Sequence, residues 1–256
     1  MRHMIQAQRH QQILAKLQVE GQITVKDLSE EFQVTKDCIR KDLTLLEEQG
    51  KLKRVHGGAT KVRQNPHVFQ VEDRKGLHLK EKKMIAQKAF EMIEPGMMIF
   101  LDISTITLEI AKLIFQNDLQ VTLVTNMIDI MNMFRQDSLT KVIFLGGEYN
   151  QAKDGFVGTL TIQQLKKYNF DLAFIGVVGI DLHNNQVMTY EVNDGQTKSQ
   201  IISSSKVCYI VAESIKLDMD GNYAYAQLSD FTGFITEKKL NDRHIEKMQE
   251  YGLEVI

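Results

Sequence analysis

The sequence of 256 residues has two cysteines, Cys38 and Cys208, far apart and outside any CxxC spacing. They offer neither a disulfide framework nor a zinc cluster, and a reducing compartment is expected. Proline is as scarce, two in all, and no Pro-, Gln- or Ser-rich tract or solenoid-period repeat is present, which argues against a disordered or repeat protein. Apolar runs are broken by charge well short of the roughly 18 residues a membrane helix needs. The start "MRHMIQAQRHQQ" lacks the apolar segment of a signal peptide. A cytoplasmic protein with no membrane partner is expected, and no metal or other cofactor is implied. What remains is a globular composition, 43% hydrophobic and 25% charged, in a chain long enough for two domains of unequal size.

Charge is distributed unevenly. Residues 1–63 carry 12 Lys or Arg against 8 Asp or Glu, a balance of +4, and the remainder carries 19 against 25, a balance of −6. A basic head on an acidic body points the head toward a polyanion, although a basic solvated face reads the same way at this stage.

The head reads as three short helices. Ile13, Leu14 and Leu17 follow Ile5 at helical spacing up to Gly21. Thr24 is placed to cap a second helix bearing Val25, Leu28 and Phe32, and Thr35 a third whose Ile39, Leu43 and Leu46 face inward before Gly50. The pattern is that of a helix-turn-helix, with Thr35, Lys36, Asp37, Arg40 and Lys41 presented near the start of a recognition helix. Arg40 is the strongest base-reading candidate, because its planar fork pairs bidentately with guanine. "KLKRVHGGAT" then alternates charge with Leu52 and Val55 up to Gly57-Gly58, a hairpin signal. A basic hairpin after a recognition helix reads as a wing, on which Lys53, Arg54, His56 and Gly57 would meet the phosphate backbone of double-stranded operator DNA.

The run "VTKDCIRKDLTLLEEQGKLKRVHGGA", Val34 to Ala59, resembles the N-terminal signature of DeoR-type bacterial transcription regulators. It departs at Thr35 for Ser, at Cys38 for Thr and at Lys41 for Arg. Cys38 thereby lacks a hydroxyl that could touch the DNA backbone.

Beyond residues 63–79, which contain Pro66 and read as a linker, a helical stripe of Met84, Ile85, Ala89 and Ile93 ends at Pro95-Gly96. From there apolar strands alternate with helices: "MMIFLD", a helix from Ser104, "VTLVTN", a helix near Met127–Arg135, "KVIFLGG", a helix near Thr161–Tyr168, then "DLAFIGVVGI" as one strand. A helix over Asp194–Ser204, the strands "KVCYIVA" and "FTGFITE", a helix over Asp242–Tyr251 and the strand "LEVI" complete the series. The alternation predicts an α/β domain, a mostly parallel sheet covered on both faces, with ligands outside the carboxyl ends of the strands. Those ends carry Asp102, Ser104, Thr105 and Thr107, then Thr125 and Asn126, then Gly146 and Gly147, then Gly176 and Gly179, and after "CYIVA" Lys216. Hydroxyls and backbone N–H groups at a helix start, with a lysine, suit a phosphate; each residue alone also reads as a turn or cap.

The resemblance extends over this domain. It implies a C-terminal sensor similar in fold to ribose-5-phosphate isomerase that binds phosphorylated sugars, with Asp102, Thr105, Thr125, Asn126, Gly146, Gly147, Gly179, Ile180, Asp181 and Lys216 matching the family pattern. Ser104 stands where the family has Gly, Ile106 where it often has Thr, and Glu213 where it commonly has Asp. The isomerase's Asp-Gly-Ala-Asp segment and glycine loop are missing, so an enzyme is not expected. Glu191 and Lys198 are candidates for sugar hydroxyls or for each other, with a surface ion pair as the alternative. The expected arrangement is a winged helix-turn-helix domain at 1–62, a linker at 63–79 and an α/β sensor at 80–256. The expected function is a DNA-binding regulator, a repressor of a sugar-uptake or sugar-metabolism operon acting as a homodimer or homotetramer. A regulator whose altered effector site leaves it a constitutive DNA-binding protein is the alternative.

Overall fold

The computed structural model describes residues 5–60, 74–134, 138–152 and 154–256, the side chains of Gln18 and Val19 excepted. The chain divides into two compact units, Met1–Gln64 and Asn65–Ile256. Of the expected linker, residues 63–73 lie outside the described residues.

In the first unit, α1 (Gln6–Glu20), α2 (Val25–Glu31) and α3 (Lys36–Glu48) enclose Ile13, Leu17, Leu28, Ile39, Leu43 and Leu46. Each of the last two helices starts where a threonine satisfies orphan amides: Thr24 Oγ1 accepts from the Asp27 amide at 3.1 Å and Thr35 Oγ1 from the Cys38 amide at 3.2 Å. Strands β2 (Lys53–Val55) and β3 (Gly58–Thr60) form the wing hairpin. The turn requires both glycines, for different reasons. Gly57 has φ 81°, and a Cβ on Gly58 would stand 1.9 Å from the Ile23 carbonyl oxygen. That close approach exists because a further strand, β1 (Gln22–Thr24), pairs with β3, a strand too short to show a period in the sequence.

The second unit opens with α4 (Leu79–Phe90) and is built on a seven-stranded parallel sheet. Its strands are β4 (Met98–Leu101), β5 (Thr122–Thr125), β6 (Lys141–Phe144), β9 (Phe170–Gly176), β12 (Ser205–Val211), β14 (Gly233–Ile235) and β15 (Glu254–Val255). The period of 2 sends Ile99, Leu101, Leu123 and Leu172 into one core layer and Phe100, Val124, Ala173 and Ile175 into the other. Helices α5 (Thr105–Gln116), α6 (Ile128–Met133), α7 (Thr159–Leu165), α8 (Val192–Ser203) and α9 (Asp242–Glu250) follow strands in the expected alternation. The strand order β15-β14-β12-β9-β4-β5-β6 reverses between β4 and β9, so the carboxyl ends of those two strands open the crevice where such sheets bind ligands.

"DLAFIGVVGI" does not form the single strand expected. It breaks after Gly176, and β10 (Gly179–Asp181) joins β11 (Gln186–Thr189) and β13 (Tyr223–Ala226) in a separate antiparallel sheet. A second unexpected hairpin joins β7 (Glu148–Asn150) to β8 (Gly155–Val157). Among the described residues no helix is long and apolar enough to cross a membrane.

Candidate functional site

In the first unit, Thr35, Lys36, Asp37, Arg40 and Lys41 of the third helix and Lys53, Arg54, His56 and Gly57 of the wing are all exposed. Arg40 is held at rest by Asp37, 2.7 Å from its Oδ1, in an exposed pair, a contact weak enough to exchange for a base edge. The wing is tied to α3 by two contacts: Arg54 donates its amide to Glu47 Oε1 and its guanidinium to Thr44 Oγ1, each at 2.8 Å. Opposite the exposed face, Asp42 is 1% exposed and accepts from Arg9, His10 and Gln6 of α1. Burial opposes its charge, but these hydrogen bonds prevail and hold the carboxylate below its ordinary value.

In the second unit a cavity of ≈ 320 Å³ lies at the reversal in strand order. Ser104 and Thr105 line it from beyond the end of β4, Gly176 from the end of β9, Glu213 and Lys216 from beyond β12, Glu191 from just before α8 and Lys198 from within it. Six of the sequence candidates therefore meet there: Ser104, Thr105, Gly176, Glu191, Lys198 and Lys216. Ser104 takes extended backbone, φ −153° and ψ 156°, so the position makes no demand for glycine. It caps α5 reciprocally with Thr107, the serine hydroxyl accepting the Thr107 amide at 3.0 Å and the threonine hydroxyl accepting the Ser104 amide at 3.2 Å. Its side chain lies over Gly176, where a Cβ would stand 2.3 Å from that of Ser104.

The other candidates do not line the cavity, and some of them support its floor. Asp102, 1% exposed, accepts from the Gly176 amide at 3.1 Å and from Lys198. Thr107 also donates to the Asp102 carbonyl at 2.5 Å. Thr125 donates to the Leu101 carbonyl at 2.8 Å, and Asn126 to the Phe156 carbonyl at 2.7 Å. The Gly146 carbonyl accepts from Thr161 and Gln164 of α7, and a Cβ on Gly147 would meet Thr161 Oγ1 at 2.0 Å, so Gly147 serves close packing against that helix. Asp181 stands apart: its carboxylate accepts from the His183 and Asn184 amides and caps the β10–β11 turn.

Lys198 is no surface residue. It is 3% exposed, donates to Asp102 and to the Gly176 carbonyl at 2.9 Å, and has Asp194 at 4.0 Å. Burial would lower its pKa, but the two aspartates raise it above the ordinary lysine value. Glu191 is bound elsewhere, accepting from Asn150 at 2.5 Å.

Sequence reasoning passed over two cavity cations. Arg74 precedes α4 and Lys82 lies within it, 3% exposed and donating to the Arg74 carbonyl at 2.5 Å. Lys82 and Lys216 both have depressed pKa values, from burial first; Arg74 depresses both further, and Glu213 opposes the shift at each. With Lys198 matched by Asp102 and Asp194, Arg74, Lys82 and Lys216 line the cavity against the carboxylates of Glu191 and Glu213, a cluster of three cations whose mutual repulsion an anion would relieve.

Comparison with known proteins agrees with both units. Residues 9–65 match the DeoR-like helix-turn-helix domain and residues 77–238 the DeoR C terminal sensor domain. The chain is 31% identical over 95% of its length to 96% of the lactose phosphotransferase system repressor of Streptococcus mutans. It is 29% identical over 99% of its length to 96% of the HTH-type transcriptional repressor GlcR of Bacillus subtilis. For the glycerol-3-phosphate regulon repressor of Escherichia coli K12 the figures are 28%, 95% and 98%. Ribose 5-phosphate isomerase A of Methanocaldococcus jannaschii aligns over 53% of this chain and 52% of its own at a TM-score of 0.38 and 13% identity, a likeness that decides nothing about activity. With a DeoR-type reading head and sensor domain matched in order, and whole-length relatives that are repressors, the chain belongs to the DeoR family of transcription regulators and is not an enzyme.

Proposed function

We propose that this chain represses a sugar-uptake or sugar-metabolism operon from the cytoplasm and is controlled by a phosphorylated sugar held in the cavity of its larger unit. The cluster of Arg74, Lys82 and Lys216 at that cavity carries the reading. The start of α5 lines the same cavity through Thr105 and Ile106, and its dipole adds to the attraction for an anion. The Glu191 carboxylate oxygen that Asn150 does not engage, with the Thr105 hydroxyl and the proton of the capping Ser104 hydroxyl, would meet sugar hydroxyls. Asp102, Thr107, Thr125 and Asn126 hold the floor in shape, and Gly146, Gly147 and Asp181 serve the surrounding fold. Kinship supports the sugar assignment, since relatives are named for a lactose phosphotransferase system and a glycerol-3-phosphate regulon.

On the DNA side, residues 1–62 act as the reading head, with Arg40 at base edges and Lys53, Arg54 and His56 on phosphates. Pairing of such heads on repeated half-sites calls for a homodimer or homotetramer. The effector shifts the population of DNA-competent arrangements by binding one of them more tightly.

Thermal unfolding against a panel of sugar phosphates and their unphosphorylated sugars tests the proposal. A true effector at a hundred times its Kd stabilises the native state by about 2.7 kcal/mol, a midpoint shift of several degrees, and releases operator DNA; the free sugar does neither. No shift with any phosphate, with operator binding intact, would leave a constitutive DNA-binding protein.

A further inference from the structure

One row of α3 runs through Asp37, Arg40, Thr44 and Glu47, at i, i+3, i+7 and i+10, clear of the buried Ile39, Leu43 and Leu46. The far half of the row is committed to the wing, since Thr44 accepts the Arg54 guanidinium and Glu47 the Arg54 amide, each at 2.8 Å. In the near half, among the described residues, Asp37 and Arg40 are paired only with each other. The contact joins one guanidinium nitrogen to one carboxylate oxygen, and the Asp37 and Arg40 side chains are 79% and 57% exposed. A pair so exposed contributes little to stability, and a first-turn carboxylate helps the helix start only modestly. Brought up to DNA, the same carboxylate is repelled by the phosphates. Asp37 therefore stands at the presented end of the recognition helix at a cost in affinity that base recognition can offset.

Resting on the base-reading role proposed for Arg40, we propose that Asp37 is a specificity-determining residue: when Arg40 leaves it for guanine, the freed carboxylate accepts from the amino group of a neighbouring base, cytosine N4 first and adenine N6 second. Side chains of a helix tilt toward its N-terminus, so Arg40 reaches the groove over the turn that carries Asp37. The exchange thus leaves the carboxylate within one turn of the guanine that Arg40 takes. An ionised carboxylate only accepts. In the major groove cytosine and adenine present an amino donor, whereas guanine and thymine present acceptors alone. Guanine or thymine beside the Arg40 contact would leave the Asp37 charge unpaired, so the residue selects by rejection as well as by acceptance. Lys36 and Lys41 carry only donors and do not read an amino group.

Full-length wild type, Asp37→Ala, Asp37→Asn and Arg40→Ala are each equilibrated with a library of randomised DNA duplexes, and the bound and unbound pools are sequenced. The wild type is expected to select a guanine flanked by cytosine or adenine, and Arg40→Ala to lose the guanine. Asp37→Ala keeps the guanine but loses its discrimination against guanine and thymine at the flank by about tenfold or more. Asp37→Asn, whose amide also donates, tolerates both bases there. On a single duplex of unselected sequence Asp37→Ala binds at least as tightly as the wild type. An unchanged flank preference in Asp37→Ala, with guanine still lost in Arg40→Ala, overturns the assignment and leaves the reading head intact; a lowered unfolding midpoint would then return Asp37 to the helix start. Loss of the guanine itself in Asp37→Ala also overturns it, by making the residue only a guide for Arg40. No selection by the wild type, or selection indifferent to Arg40→Ala, overturns this inference together with the role of Arg40.

Discussion

Lys198 shows how one buried charge is made tolerable. Its ammonium meets Asp102 and a backbone carbonyl, with Asp194 at 4.0 Å, and Asp194 is itself bonded to Thr189 at 2.5 Å. Removing the cation strands two buried carboxylates, so Lys198→Met should cost about 3–5 kcal/mol, whereas Asp102→Asn combined with Lys198→Met should recover a large part of that loss. Urea unfolding of the two singles and the double measures the coupling; additive losses would refute it. Because the Lys198 pKa is raised from the ordinary 10.5, this contribution is complete below that value and fades only as pH rises through the higher folded value.

At the scale of elements, Asp42 fastens the recognition helix to α1 through Arg9, His10 and Gln6. Asp42→Ala removes the buried carboxylate to which Arg9 donates twice and should destabilise the head by about 3 kcal/mol, read by denaturant unfolding with DNA binding as a second probe. The folded carboxylate titrates below its ordinary 3.8. Its stabilisation is therefore present above that pH and lost as pH falls through the lowered folded value. Asp42→Asn should flatten the acid limb of the stability curve, and an unchanged limb would assign acid unfolding to other carboxylates.

The same elements show what the sequence disclosed. Thr24 and Thr35 announced two helix starts, because a cap is a local event within three residues, and Gly57-Gly58 announced the turn for the same reason. The parallel sheet was legible from buried apolar runs spaced by helices. The β10–β11–β13 sheet was not, since its strands are short and pair residues up to 39 positions apart, as Val187 pairs with Ala226. Asp42 and Lys82 look like solvated charges in charged helices, and only tertiary packing reveals them as buried at 1% and 3% exposure. Arg74 was hidden in the same way, within a segment without period.

Across the whole molecule, the DNA contacts proposed for the head fall into two physical kinds. Arg40 is exposed on α3 with only the Asp37 pair to release, whereas Lys53 extends from the wing. A base-edge contact carries sequence information, and a phosphate contact carries none but releases counterions. Arg40→Ala should therefore lose about 1–3 kcal/mol on the operator and little on random DNA. Lys53→Ala should weaken both alike and make the slope of log K against log salt shallower by about one unit. Titrations of both variants on operator and random duplexes across a salt series separate the roles: equal loss by Arg40→Ala on the two duplexes would make it another phosphate contact and move base reading to Lys36 or Lys41.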